Sequence, residues 1–150
     1  MALSSASVTS AINALTTAAA GGSTTQGRTS VDLTQSFANG TGANSVTTVI
    51  DGNVTSNNVA RALSTFTDTL GVAFSGLTKL KGFVAINTSS ANATTVSCNA
   101  TGAPSSFELP ANGTLVHLAP SAGGITVSGT TTITSNGNAS DAVRVILFLA

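Results

Sequence analysis

Turn-forming clusters interrupt this chain too often for helices to develop. From residue 39 onward the strings "NGTGAN" (39–44), "DGN" (51–53), "TSSANA" (88–93), "ATGAPSS" (100–106), "PANG" (110–113), "PSAGG" (120–124) and "SNGNAS" (135–140) punctuate it. Gly and Asn supply the positive φ that tight turns need, and Pro presets a turn's first corner. Between the clusters lie short runs such as "SVTTVI", "TTVSCN", "TLVHLAP", "TTITS" and "AVRVILFL", rich in β-branched residues. About eight to ten strands at roughly ten-residue spacing result. This predicts an all-β fold, an antiparallel β-sandwich of jelly-roll-like design. In detail, "VDLTQSF" opens the β region at Val31, and "DGN" breaks the next strand. "VARALSTF" forms a strand over 59–66, and "TKLKGFVAIN" buries Leu80, Phe83 and Ile86.

The last strand is the most informative. Alternation in "AVRVILFL" places Val143, Val145, Leu147 and Leu149 on one face, and Arg144, Ile146 and Phe148 on the other. A strand with one wet face would be polar at every second position. Here only Arg144 is, so the strand is expected to be central and covered on both sides. One cover is the sandwich core. The other is a neighbouring subunit or the N-terminal segment, and Ile146 and Phe148 are the expected subunit-contact residues.

Residues 1–30 read as a separate N-terminal arm, with the β-sandwich domain over 31–150. Val8, Ile12 and Leu15 fall three and four apart, a short helical stripe flanked by alanines. The following "AAAGGSTTQGRTS" is small, polar and Gly-rich, a connector composition. The stripe is too short for a free helix. The arm is therefore expected to be extended or partly helical and to order against a neighbour, with Leu3, Val8, Ile12 and Leu15 as its anchors. The opening residues lack a basic n-region, so synthesis in a cytoplasm without a standard export signal is expected. No run approaches the roughly 18 apolar residues of a spanning helix, so no membrane partner is expected.

Charge narrows the function. The chain is 41% hydrophobic and only 7% charged, with five basic and five acidic residues. Phosphate recognition needs clustered Lys and Arg, so a nucleic-acid partner is not expected. A neutral surface gives little protection against self-association, which suits a chain covered by other protein.

The residues for catalysis are sparse. One His excludes a multi-histidine metal centre. His117 lies in "TLVHLAP" and reads as an edge-strand or interface residue. The acids Asp32, Asp51, Asp68, Glu108 and Asp141 stand singly, not as the converging pair that glycoside hydrolysis uses. No nucleophile elbow, phosphate loop or dinucleotide fingerprint occurs. Cys98 is single and reads as a small buried side chain. Seven Asn-x-Ser/Thr sequons (Asn39, Asn53, Asn87, Asn92, Asn99, Asn112 and Asn138) read as turn chemistry in a chain rich in Ser and Thr. No enzyme activity, cofactor or metal is expected.

Three stretches, in order, carry a resemblance: "SFANGTGANSVTTVIDG", "LSTFTDTLGVAFSGLTKLKGFVAINTSS" and "LPANGTLVHLAPSAGGITVSGTTTITSNGNASDAVRVILFLA". They resemble small virion structural proteins of tailed bacteriophages, of the head-decoration or cement type. The likeness covers about residues 36–150. It is a pattern of strands and turns without a catalytic motif, and it departs at "PANG". It implies a particle component without setting head or tail; the first expectation is a homo-oligomer, with a trimer expected, on the capsid surface, partnered by the major capsid protein and stabilising the shell. A tail or fibre module, receptor-binding in role, is the alternative. Such a module should display aromatic or charged loops, and this chain has few of either.

Overall fold

The structure, a computed structural model, describes residues 5–20, 23–68, 71–119, 121 and 123–150. In the long N-terminal strands it describes side chains at 5–9 and 34–39. Twelve strands run in chain order: β1 (Ser5–Ala20), β2 (Ser23–Asn39), β3 (Ser45–Val46), β4 (Thr48–Thr55), β5 (Arg61–Ala62), β6 (Lys79–Asn87), β7 (Thr94–Cys98), β8 (Phe107–Leu109), β9 (Thr114–Leu118), β10 (Ile125–Thr126), β11 (Thr132–Asn136) and β12 (Ala142–Leu149). Among the described residues the only helical element is one 3-10 turn, Leu63–Thr65. The fold is all-β with antiparallel sheets, as expected from the turn spacing.

Two sheets face each other across one core. The larger has the order β10-β6-β12-β4, with β9 following β10's edge of β6; the smaller runs β5-β11-β7-β8. Ile50, Phe83, Val143, Val145, Leu147 and Leu149 from the larger sheet meet Val96, Leu109 and Ile133 from the smaller, all fully buried. Each such side chain contributes roughly 1.5–3 kcal/mol through burial. The core forms because inward positions alternate along every strand.

Three details depart from the sequence reading. "DGN" at 51–53 does not break a strand: β4 runs straight through it. Gly52 is there because a Cβ would lie 2.9 Å from the Phe66 ring, so the glycine marks close approach within a strand. "VARALSTF" is strand only at Arg61–Ala62 before the 3-10 turn takes over. The Arg61 guanidinium lies 3.9 Å above the Phe66 ring and donates to the Asn53 and Thr65 carbonyls, pinning that turn to β4. Lastly, Val8, Ile12 and Leu15 lie on strand β1, not on a helix.

β1 and β2 form an antiparallel ribbon of sixteen paired positions, from Ser5↔Ala38 to Ala20↔Ser23. At strand geometry it spans roughly 50 Å. β2 continues across the boundary expected at residue 30. Among the described residues, β1 and β2 make extensive backbone contact only with each other and, for β2, with β3. β3 joins β2 in parallel, with Ala38 N–H donating to Asn44 O at 2.9 Å and Gly40 N–H to Val46 O at 3.0 Å. Asn44 takes φ 53°, as the turn "NGTGAN" requires.

Polar side chains close one end of the sandwich. The hydroxyls of Ser56, Thr94 and Ser135 meet at 2.9 to 3.2 Å, all buried. Asn87, 1% exposed, donates to the carbonyls of Asn92, Leu109 and Pro110 and accepts from Ser89 N–H. This sequon is structural: its amide organises two loops. Asn112 supplies the positive φ of the "PANG" turn, and Asn57 and Asn138 accept from backbone N–H groups two residues on.

Candidate functional site: the outer face of the larger sheet

β12 pairs with β4 on one side and β6 on the other, so it is central. Its inward residues Val143, Val145, Leu147 and Leu149 are fully buried, as alternation predicts. Its outward residues build the site in rows across the sheet. The first row is Val49, Phe148, Gly82 and Leu118; the second Asp51, Ile146, Val84 and Val116; the third Asn53, Arg144, Ile86 and Thr114.

The ribbon's base covers the first row. Phe37 on β2 stacks on Phe148, with ring centroids 5.3 Å apart and planes inclined by 25°. Phe37, Val46, Val84 and Phe148 form a second apolar cluster, with Ala6, Val8, Val49, Ile86, Leu118 and Ile146 packed around it. Gly82 makes room: a Cβ there would approach Phe148 and Leu118 to 3.0 and 3.1 Å. Phe148 is only 5% exposed within a single chain. Of the two covers expected for this face, a neighbouring subunit or the N-terminal segment, the ribbon supplies one at Phe148 within a single chain. Ile146 is half-buried beside it.

Cover thins along the rows. Val116 on β9 is 37% exposed, while Ile86, Ile146 and Leu118 are half-buried. Beyond them the surface turns polar. Arg144 grips Asp51 in two hydrogen bonds, one of them Nε to Oδ1 at 2.8 Å. Arg144 is exposed and pairs across to β4. The Arg144 hydrogen bond holds the Asp51 carboxyl below its ordinary range despite some desolvation.

The ribbon itself is two-faced. Opposed residues in an antiparallel pair share a face, and the face alternates along the strand. One register set holds Ala6↔Phe37, Val8↔Gln35, Ser10↔Leu33 and Ile12↔Val31. The other holds Ser7↔Ser36, Thr9↔Thr34, Ala11↔Asp32, Asn13↔Ser30 and Leu15↔Arg28. Val8 and Ile12 thus share the set that begins on the second cluster, while Leu15 belongs to the opposite set. Leu3 lies outside the described residues. Sequence reasoning missed Phe37, Val46, Val84 and Val116. The apolar alternation Val31, Leu33, Phe37 was the available signal.

Other candidates for chemistry are dispersed. His117 on β9 is half-buried opposite Phe83. Cys98 is buried at a cleft of about 470 Å³ lined by Asn99, Ala100, Thr101, Gly102 and Ala103, and desolvation pushes its thiol up. Lys81 occupies a β-bulge, where Phe148 pairs with Gly82 but Leu149 with Leu80. Its fully buried side chain donates to Ser121 O at 2.6 Å, and burial lowers its ammonium from the usual lysine range. Among the described residues no group of three His, Cys, Asp or Glu is placed to hold a metal ion, and no helix is long and apolar enough to cross a membrane.

No protein-family model matches the chain, and neither a curated protein nor a solved structure matches it significantly.

Proposed function

We propose that this chain is a bacteriophage virion structural protein, a decoration protein that oligomerises on the outer surface of the head, as a trimer, and staples neighbouring major capsid subunits. The observation that carries this reading is the ribbon: sixteen residue pairs, of which one register set continues past the cluster it covers. An isolated two-stranded ribbon is marginal in water, so a ribbon this long calls for protein to lie on. A chain with only five charges of each sign supports the same reading.

The sandwich is read as a jelly roll. The order β9-β6-β12-β4 faces β8-β7-β11-β5, and the chain changes sheet between β4 and β5, β5 and β6, β6 and β7, β8 and β9, β10 and β11, and β11 and β12. That weave supports the jelly-roll reading, a design that capsid and lectin domains share. Fold alone does not set function; ribbon and neutrality tip the balance toward assembly. Stapling needs about 1,600 Å² per contact, multiplied by repetition over the shell.

The test mixes the purified chain with shells of the major capsid protein alone. Saturable co-sedimentation at a fixed ratio to shell subunits, with a raised rupture temperature, is expected. Failure to bind shells, with binding instead to tails or host envelopes, favours the tail or fibre alternative.

A further inference from the structure

The ribbon's register set and the sheet's outer rows meet at the second cluster, and both run on beyond it with apolar residues in sequence. On the ribbon, Ser10↔Leu33 and Ile12↔Val31 extend the register set of Ala6↔Phe37. On the sheet, the row Ile146, Val84 and Val116 extends the row that Phe37 covers, and ends at an exposed Val116. We propose that the ribbon segment around Ile12 and Val31 seats on the Ile86–Ile146–Val116 face of a second copy of this chain, holding the homo-oligomer by ribbon-to-sheet contact. This rests on the homo-oligomer part of the proposed function and not on the shell.

Continuity and charge select a second copy as the occupant. The contact would prolong, with the same chemistry, an interface the chain already makes at Phe37 and Phe148. The ribbon's apolar set contains no charged residue between Ala6 and Ala20 or between Ser23 and Phe37; Arg28 and Asp32 both fall in the other set. On the sheet the one nearby acid, Asp51, is already matched by Arg144. A strongly acidic or basic partner would find nothing to pair with, whereas a neutral apolar ribbon buries no unpaired charge.

The test uses two full-length variants with different tags, Ile12→Cys and Val116→Cys. Cys98 is buried and stays out of the reaction. On mixing and mild oxidation, a disulfide-linked dimer carrying both tags is expected. Disulfides only between chains that carry the same tag, or no crosslink, overturn the proposal. A second variant, Val116→Asp, alters an exposed edge-strand position and leaves the core intact. It should weaken self-association at least ~30-fold, the effect of losing one central contact, at an unchanged melting temperature. Unchanged self-association, or a wild-type chain that is monomeric at all concentrations, overturns the proposal. Shell co-sedimentation reads the decoration role separately, so a chain that self-associates yet ignores shells loses that role and keeps this interface.

Discussion

Phe148 is held in place by one ring from the far end of the chain. Replacing either Phe37 or Phe148 by Ala removes a buried aromatic and should cost about 3–5 kcal/mol, read as a lower urea midpoint. The two losses should be strongly non-additive, because each variant orphans the same partner; additive losses would mean that the rings do not support each other. Gly52→Ala should cost about 1–3 kcal/mol by overpacking, since its Cβ would press on Phe66; an unchanged thermal melt would contradict that packing. Asp51 gives a pH signature. Its carboxyl is held below the ordinary aspartate range when folded, by the Arg144 hydrogen bond, so the folded state binds fewer protons there than the unfolded chain. The pair's contribution is therefore complete above the ordinary carboxylate range and is lost as pH falls through the lowered folded value. The stability gap between wild type and Arg144→Gln should hold steady near pH 6 and close towards pH 3. A gap independent of pH would show that Arg144 acts through something other than this carboxylate.

At the scale of elements, legibility depended on whether the partner of a strand could be read locally. β12 was legible because eight residues declare both faces by themselves: apolar on one, apolar but for Arg144 on the other. The turns at 39–44 and 110–113 were legible because Asn and Gly there serve positive φ. The ribbon was not. Val8, Ile12 and Leu15 fit a helical spacing, and only pairing with residues 23–39 separates Ile12 from Leu15. "DGN" misled because Gly52 answers to Phe66, fourteen positions on, rather than to a turn. These are tertiary causes, invisible in a window of ten residues. The register yields its own test. Ile12→Asp should abolish self-association while Leu15→Asp leaves it near wild type, measured by light scattering. Equal effects would favour the helical stripe of Val8, Ile12 and Leu15 instead.

At the scale of the whole molecule, the proposal of assembly rests on how the apolar faces are shared out. The chain buries one core between two sheets, closes part of a second apolar face with its own ribbon, and leaves Val116 exposed at the edge of that face. Such a design is reasonable where many copies act together and no one interface needs to be strong. The measurement that tests this most directly is copy number in purified virions, by quantitative mass spectrometry against the major capsid protein. The account predicts a fixed ratio to the shell lattice, on the order of hundreds of copies. A few copies per particle, in step with tail proteins instead, or none at all, would contradict it.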